Sequence, residues 1–283
     1  MTRMLLAAFL GGLLALPDGA APAESVKVGE PVVVASGALV AQPHGAFGDG
    51  VYLALWQDGW GGVGATAGVK ALRLQARTLA PLDREPMVLA GRDPQEAPAT
   101  AHGGGIFLVV WQEFRAGKHY VIRAARVDAR TGRPLGDAFG VAACAVTQCR
   151  PTVAWSGKTF LVVWQEHLGG DTHGVRGVRV SPDGKLLDAE PHTYAAEGTS
   201  PAVAPSGGKL LVAWAVKQRN QAKTAAALVD PATGQVAQAL GAINTWCCRG
   251  SWRAAPHLRA SSTTPAASAT FARARSRTSS TRP

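Results

Sequence analysis

Apolar residues recur along this chain in short runs, and each run ends at a tryptophan. In four segments a proline is followed by a glycine-containing turn and then by an apolar run to a tryptophan 13 positions later. The prolines are Pro43, Pro98, Pro151 and Pro201, and the tryptophans are Trp56, Trp111, Trp164 and Trp214. Successive tryptophans are 55, 53 and 50 residues apart. Four copies with one internal offset predict a repeat architecture.

Each repeat reads as four antiparallel strands. The glycine turn separates a short strand from a longer one, as in a hairpin. The longer strand, such as residues 160–165, is apolar on both faces, which is typical of a strand covered on both sides. A mixed third strand follows, then another turn with glycine and a weaker fourth strand. Four such strands in about 50 residues match one blade of a β-propeller. The predicted fold is therefore all-β and propeller-like, with blades at about 43–90, 98–143, 151–197 and 201–243.

An additional strand precedes the first repeat. Residues 30–35 lie 13 positions before Pro43, and the similar residues 85–90 lie 13 positions before Pro98. The N-terminal segment is thus predicted to be an outer, ring-closing strand whose inner partners come from the C-terminus. No further repeat follows Asn244, however. We therefore expect a truncated ring with an open edge, through which copies of the chain self-associate.

The last 38 residues differ from the rest. Residues 246–283 contain seven arginines and no Lys, Asp or Glu. They carry no strand pattern, so we expect a disordered basic tail. It is either a natural tail or sequence read out of frame, and the break in the repeat favours the second. The net charge of +10 reflects this tail, because residues 24–245 hold 21 basic and 18 acidic residues. Nucleic-acid binding is not expected.

The first residues predict export. A single positive charge, Arg3, is followed by an apolar stretch from Met4 to Leu16 and by an Ala-x-Ala site before Glu24. This pattern is typical of a secretory signal peptide at residues 1–23. No later segment reaches about 18 uninterrupted apolar residues, so no membrane span is expected after cleavage. We expect a protein that is secreted, periplasmic or at the cell surface of a bacterium.

Two repeats contain the same heptapeptide. FLVVWQE occurs at residues 107–113 and again at 160–166, each followed by a third strand such as residues 175–180. These repeats resemble the FLVVWQ-type repeats of large secreted or surface-attached bacterial proteins. The resemblance covers about residues 25–243 and implies an extracellular propeller-like repeat. It transfers no catalytic residue.

Candidate chemistry is sparse. Asp58, Glu113 and Glu166 stand two residues after successive repeat tryptophans. They could act as acid and base in glycoside cleavage. A position repeated from blade to blade is more often structural, and the fourth copy has Val216.

His167, Asp171 and His173 could cluster in one loop, although loop histidines are far commoner than metal ligands. No metal or cofactor is expected. Cys144 and Cys149 lie in one blade-joining link, where export makes a disulfide plausible. Cys247 and Cys248 fall in the tail and are given no role.

Two functions remain open at this point. The leading expectation is a non-enzymatic binding or adhesion scaffold, whose variable loops recognise a carbohydrate, a peptide or another cell-surface ligand. The alternative is a secreted hydrolase or lyase that acts on a polysaccharide at the axial pocket of the propeller.

Overall fold

A computed structural model describes residues 31–35, 40–59, 68–89, 93–115, 118–143, 145–218 and 221–243. The predicted signal peptide at 1–23, the predicted tail at 246–283 and Cys144 lie outside these residues. The chain divides into two compact units, Met1–Val32 and Val33–Pro283. All the strands described below belong to the second unit. No helix capable of crossing a membrane occurs among the described residues.

Within the described residues sixteen strands form four sheets, and each sheet is a four-stranded antiparallel meander in chain order. We call these sheets blades 1 to 4. Blade 1 holds β1 (Val40–Gly48), β2 (Val51–Asp58), β3 (Gly68–Gln75) and β4 (Met87–Val88). Blade 2 holds β5 (Gln95–Gly103), β6 (Ile106–Arg115), β7 (His119–Asp128) and β8 (Phe139–Gly140). Blade 3 holds β9 (Gln148–Trp155), β10 (Phe160–Gly169), β11 (Thr172–Val180) and β12 (His192–Ala195). Blade 4 holds β13 (Thr199–Ser206), β14 (Lys209–Gln218), β15 (Gln221–Val229) and β16 (Val236–Ile243). The all-β, propeller-like prediction is confirmed.

In blades 2 and 3 the second strand is apolar on both faces, because each of its faces packs against a neighbouring blade. In β6, Phe107, Val109 and Trp111 pack against blade 1, while Leu108 and Val110 pack against blade 3. A further cluster joins blade 3 to blade 4. Among the described residues, no such cluster joins blade 4 back to blade 1. The packing therefore runs in series from blade 1 to blade 4.

The outer face of blade 1 has a different cover. Trp56, Leu72 and Leu74 form a small cluster there, with Val34 and Ala35 of the N-terminal segment packed against it. Residues 31–35 belong to none of the four sheets. The segment predicted as a ring-closing strand thus contributes apolar side chains to the outer face of blade 1.

The repeat tryptophans occupy equivalent positions on the face directed toward the preceding blade. Trp56, Trp111 and Trp164 are buried. Trp214 is only half-buried and lies against Gly198, where the two preceding blades have Gln95 and Gln148. The last blade is therefore less completely packed than the middle ones.

The repeat prolines mark a bulge in the first strand of each blade, which we call the inner strand. The residue before each proline has a positive φ close to 50°: Gln42, Ala97, Arg150 and Ser200. The pairing of the first and second strands shifts register at this place in every blade. Residues before proline avoid the right-handed helical region, and here the chain adopts the left-handed one. Glutamines of the neighbouring blade hold two of these bulges, because Gln112 Oε1 accepts from Arg150 N at 2.9 Å and Gln165 Oε1 from Ser200 N at 3.0 Å.

At the end of the blades opposite the proline bulges, a series of arginines joins neighbouring blades. Arg73 donates to the carbonyls of Ala129 and Arg130, Arg126 to that of Pro182, and Arg179 to that of Ala232. Each acceptor lies in the turn after the third strand of the next blade. The equivalent residue of blade 4 is Leu228. These contacts, which we call the arginine latches, join each of blades 1, 2 and 3 to the next blade.

Gly177 permits a close approach that is specific to blade 3. A Cβ there would lie 2.6 Å from the Tyr194 ring and 2.9 Å from Val162 O. The other blades have alanine at this position: Ala71, Ala124 and Ala226. We expect Gly177→Ala to lower the free energy of unfolding by about 1–3 kcal/mol, because the added methyl overpacks the site. Urea denaturation checks this. Gly68→Ala, where a Cβ meets nothing within 4 Å, is the control and should change stability less.

Candidate functional site

The first strands of the four blades lie nearest the axis of the array, since β1 contacts β5, β5 contacts β9, and β9 contacts β13. Among these described strands, only β5 carries a carboxylate, Glu96. It stands two residues before the repeat proline, at the bulge. The same position holds Ala41, Cys149 and Thr199 in the other blades. Glu96 is therefore a feature of one blade and not of the repeat.

Two side chains of blade 2 fix the Glu96 carboxylate. Tyr120 Oη donates to Glu96 Oε1 at 2.8 Å, and Gln112 Nε2 donates to Oε2 at 3.1 Å. The glutamine is the residue whose Oε1 also accepts from Arg150 N. Each oxygen of Glu96 thus has a hydrogen-bond donor, and the carboxylate is held in a defined orientation at the boundary of blades 2 and 3.

The network continues into blades 3 and 4. The Arg150 guanidinium donates from Nη1 to Ser200 Oγ at 3.2 Å. Glu96, Gln112, Tyr120, Arg150 and Ser200 therefore link the inner ends of three blades. We call this group the Glu96 network.

Tyr120 remains a hydrogen-bond donor at every ordinary pH. Burial, the hydrogen bond to Glu96 and the negative charge of Glu96 raise the pKa of Tyr120 to about 12, with a smaller contribution from Cys149. Burial likewise raises the pKa of the Cys149 thiol, although the Arg150 charge opposes this. The phenol therefore donates to Glu96 without competing ionisation.

The repeated carboxylates prove to be ion-paired. Asp58 pairs with Lys70, Glu113 with Arg115 at 2.8 Å and Arg123 at 3.6 Å, and Glu166 with Arg176 at 2.9 Å. Lys70, Arg123 and Arg176 each lie opposite the repeat tryptophan on the third strand. These ion pairs agree with the interpretation that the repeated position is structural. Glu166 has a second property, because it shares a face of β10 with Trp164 and is directed toward blade 2.

A cleft of about 460 Å³ lies on the side of blade 2 opposite the Glu96 network. Asp93, Glu113, Arg115, Arg123 and Asp137 supply its charged lining. Arg115 contacts both Glu113 and Asp93, the latter at 3.9 Å. Arg115 thus bridges two of the three carboxylates that line the cleft. The cleft is lined by β6, β7, the link between blades 1 and 2 and the link between β7 and β8, and it differs from the Glu96 network.

Other candidates from the sequence are less developed. No group of three or more His, Cys, Asp or Glu side chains able to hold a metal occurs in the part of the chain that the structure describes. Cys149 lies half-buried in β9. Because residue 144 is outside the described residues, the Cys144–Cys149 disulfide stays a prediction.

Comparison with known proteins places the fold. No protein-family model matches the chain, and no curated protein matches it. Endo-arabinase from Bacteroides thetaiotaomicron VPI-5482 is similar in structure, with a TM-score of 0.50 and 12% identity over 72% of this chain and 81% of that one. A thermostable family-43 glycoside hydrolase is similar with a TM-score of 0.46 and 12% identity, over 68% of this chain and 69% of that one. An alpha-L-arabinofuranosidase from Lactobacillus brevis is similar with a TM-score of 0.46 and 13% identity, over 70% of each chain.

These comparisons correct the leading functional expectation. The solved structure that matches at a TM-score of 0.50 is an endo-arabinase and not a binding or adhesion scaffold, and the prediction of such a scaffold is wrong. That prediction rested on the absence of a catalytic motif in the repeats. A functional residue on a propeller need not belong to the repeat. The repeat pattern does not reveal Glu96.

Proposed function

We propose that this chain is a polysaccharide hydrolase whose site is the Glu96 network. The observation that carries the proposal is Glu96 itself, a carboxylate unique among the described inner strands and oriented by two donors. The fold shared with endo-arabinase supports this interpretation. The predicted signal peptide supports action outside the bacterial cytoplasm, where polysaccharides are encountered.

Glycoside cleavage commonly uses two carboxyl groups, and Glu166 is the second. Glu96 extends from blade 2 and Glu166 from blade 3, and both are directed to the boundary of these blades. The Arg176 guanidinium lies 2.9 Å from Glu166 Oε2 and orients that carboxylate. We assign proton transfer to Glu96, which gives a proton to the oxygen of the departing sugar as the glycosidic C–O bond breaks. Water then adds to the sugar carbon, and its proton returns to Glu96. Glu166 stabilises the positive charge that develops on the sugar in the transition state.

Glu96→Gln tests the assignment. We expect it to lower kcat/KM on arabinan by about 10²- to 10⁴-fold, the usual contribution of a general acid or base, while the unfolding midpoint changes little. Reducing-sugar release from a panel of arabinan, xylan and other plant polysaccharides measures this. Tyr120→Phe keeps the ring and removes the hydrogen bond to Glu96, so its loss of activity should be smaller.

Asp58→Asn is the matched control. Asp58 occupies the position of Glu166 in blade 1, where no preceding blade is described, and it is partly exposed. Its substitution should leave activity at the parent level. Full activity of Glu96→Gln on a substrate that the parent cleaves would refute the assignment to Glu96. Absence of cleavage of every polysaccharide by the folded parent would refute the hydrolase proposal.

A further inference from the structure

The turn between β10 and β11 brings two histidines face to face. His167 and His173 are direct partners across the antiparallel pair. Gly169 and Gly170 have positive φ, which allows the chain to reverse tightly between them. His167 Nδ1 lies 3.5 Å from His173 Nε2, and the ring centroids are 5.1 Å apart.

The hydrogen bonding of His173 defines which of its nitrogens is free. His173 Nδ1 lies 3.1 Å from the carbonyl oxygen of Asp171. A carbonyl can only accept, so Nδ1 carries the proton and Nε2 of the neutral ring presents a lone pair toward His167. A ring N–H donated to a carbonyl is the usual orienting contact of a metal-binding histidine.

The distance between the two nitrogens distinguishes a hydrogen bond from a shared metal. Nitrogen donors in protein hydrogen bonds usually lie about 2.7–3.2 Å from the acceptor, which is shorter than the separation here. Two imidazole nitrogens bound at 2.0–2.1 Å to one tetrahedral Zn²⁺ lie about 3.4 Å apart. The observed 3.5 Å therefore fits two ligands of one metal ion better than a direct contact.

Blade 2 shows that packing alone does not require imidazoles here. The equivalent pair in its β6–β7 turn is Phe114 and Tyr120, with ring centroids 5.0 Å apart. In blade 4 the equivalent pair is Lys217 and Ala222. Aromatic rings thus fill this position in blade 2, and among the turns that the structure describes only that of blade 3 supplies two metal-binding nitrogens.

We propose that His167 and His173 form a Zn²⁺-class metal site at the β10–β11 turn. Both imidazoles are half-buried, and Asp171 and Thr172 beside them are exposed, so water can complete the coordination shell. Imidazole is a preferred ligand of Zn²⁺ and Cu²⁺. The site uses none of the residues of the Glu96 network and does not depend on the proposed hydrolase activity.

Metal titration of the full chain tests this site. The protein is stripped with a chelator, exchanged into a non-coordinating buffer and titrated with Zn²⁺ by calorimetry. Cu²⁺ is followed by electron paramagnetic resonance, in which two nitrogen ligands give a characteristic splitting. We expect saturable binding of one ion by this site and a rise in the unfolding temperature with Zn²⁺.

The double variant His167→Phe/His173→Tyr copies the aromatic pair of blade 2 and should keep the fold while losing this ion and the Cu²⁺ nitrogen splitting. His119→Phe, in the matching turn of blade 2, should bind as the parent does. Zn²⁺ and Cu²⁺ binding that is unchanged in the double variant would overturn the proposal, because the metal would then be held elsewhere. A parent chain that binds neither ion would overturn it as well.

Discussion

Trp164→Ala is expected to lower the free energy of unfolding by about 3–5 kcal/mol. Trp164 is fully buried and packs in the cluster that joins blades 2 and 3, with Leu108 and Val110 of the neighbouring blade. Truncation leaves a cavity between two sheets, and rigid strands on both sides limit its collapse. For a unit of this size the loss corresponds to a fall in Tm of about 10 °C. Thermal denaturation followed by circular dichroism measures it.

Trp214→Ala is the matched control, because Trp214 holds the same repeat position in the last blade but is half-buried. Its substitution should destabilise the protein less than that of Trp164. Equal effects of the two substitutions would mean that the blade 4 tryptophan is as well packed as the others. An unchanged unfolding midpoint in Trp164→Ala would contradict its role in the core.

Much of the fold could be predicted from the repeat. The apolar runs before each tryptophan predict strands covered on both faces, because a propeller blade packs against a neighbour on each side. Each repeat proline also has a clear physical role, since it marks the bulge of an inner strand. The half-buried state of Trp214 could not be predicted from its motif. Trp214 lies against Gly198, which stands where blades 2 and 3 have a glutamine.

The site was harder to find than the fold, for a physical reason. Repeat analysis aligns positions that blades share, and shared positions mainly serve packing and ion pairing, as Asp58 and Glu113 do. Glu96 lies at a position that differs in every blade. Comparing the repeats for the residue that departs from the others would have identified it. Its partner Tyr120 is brought near only by the β6–β7 turn.

The arginine latches show a sequence signal that the motif did not include. Arg73, Arg126 and Arg179 recur at intervals of 53 residues, and the glycines beneath them are Gly132, Gly184 and Gly234. These glycines have positive φ, and their missing side chains leave room for a guanidinium from the preceding blade. Leu228 ends the series in blade 4. The latches therefore follow the same serial order as the packing clusters.

Arg73 and Arg179 each pair with a carboxylate, and the carboxylate partner of Arg179 is the more buried of the two. Arg179 forms a two-pronged ion pair with Asp188, at 3.0 Å from Nε and 2.6 Å from Nη2 to Oδ1, and its backbone N–H donates to Oδ2 at 2.8 Å. The Asp188 side chain is only 6% exposed. Burial acts to raise the pKa of the Asp188 carboxyl, but hydrogen bonds from Arg179 and His192 outweigh it and lower the pKa below its ordinary value.

Arg179→Leu, which copies Leu228, is expected to lower the free energy of unfolding by about 3 kcal/mol at neutral pH, because it removes the guanidinium that pairs with a buried carboxylate. The control Arg126→Leu removes an equivalent latch that bonds only to the carbonyls of Leu135 and Pro182, so its effect should be smaller. Restoring neutrality in Arg179→Leu/Asp188→Asn should recover part of the loss, since the amide still accepts from the backbone N–H.

The loss caused by Arg179→Leu should also depend on pH in a defined direction. A carboxyl group whose folded pKa is lowered stabilises the fold fully above its unfolded pKa, and this stability is lost as the pH falls through the folded pKa. Acidification therefore removes the advantage of the parent, and it also neutralises the Asp188 carboxylate that has lost its guanidinium partner in the variant. The difference in stability between parent and variant should shrink as the pH is lowered from 7 toward 3, measured by urea denaturation at each pH. A difference that stays constant over this range would show that Arg179 acts through packing and its carbonyl contact to blade 4, and not through the charge of Asp188.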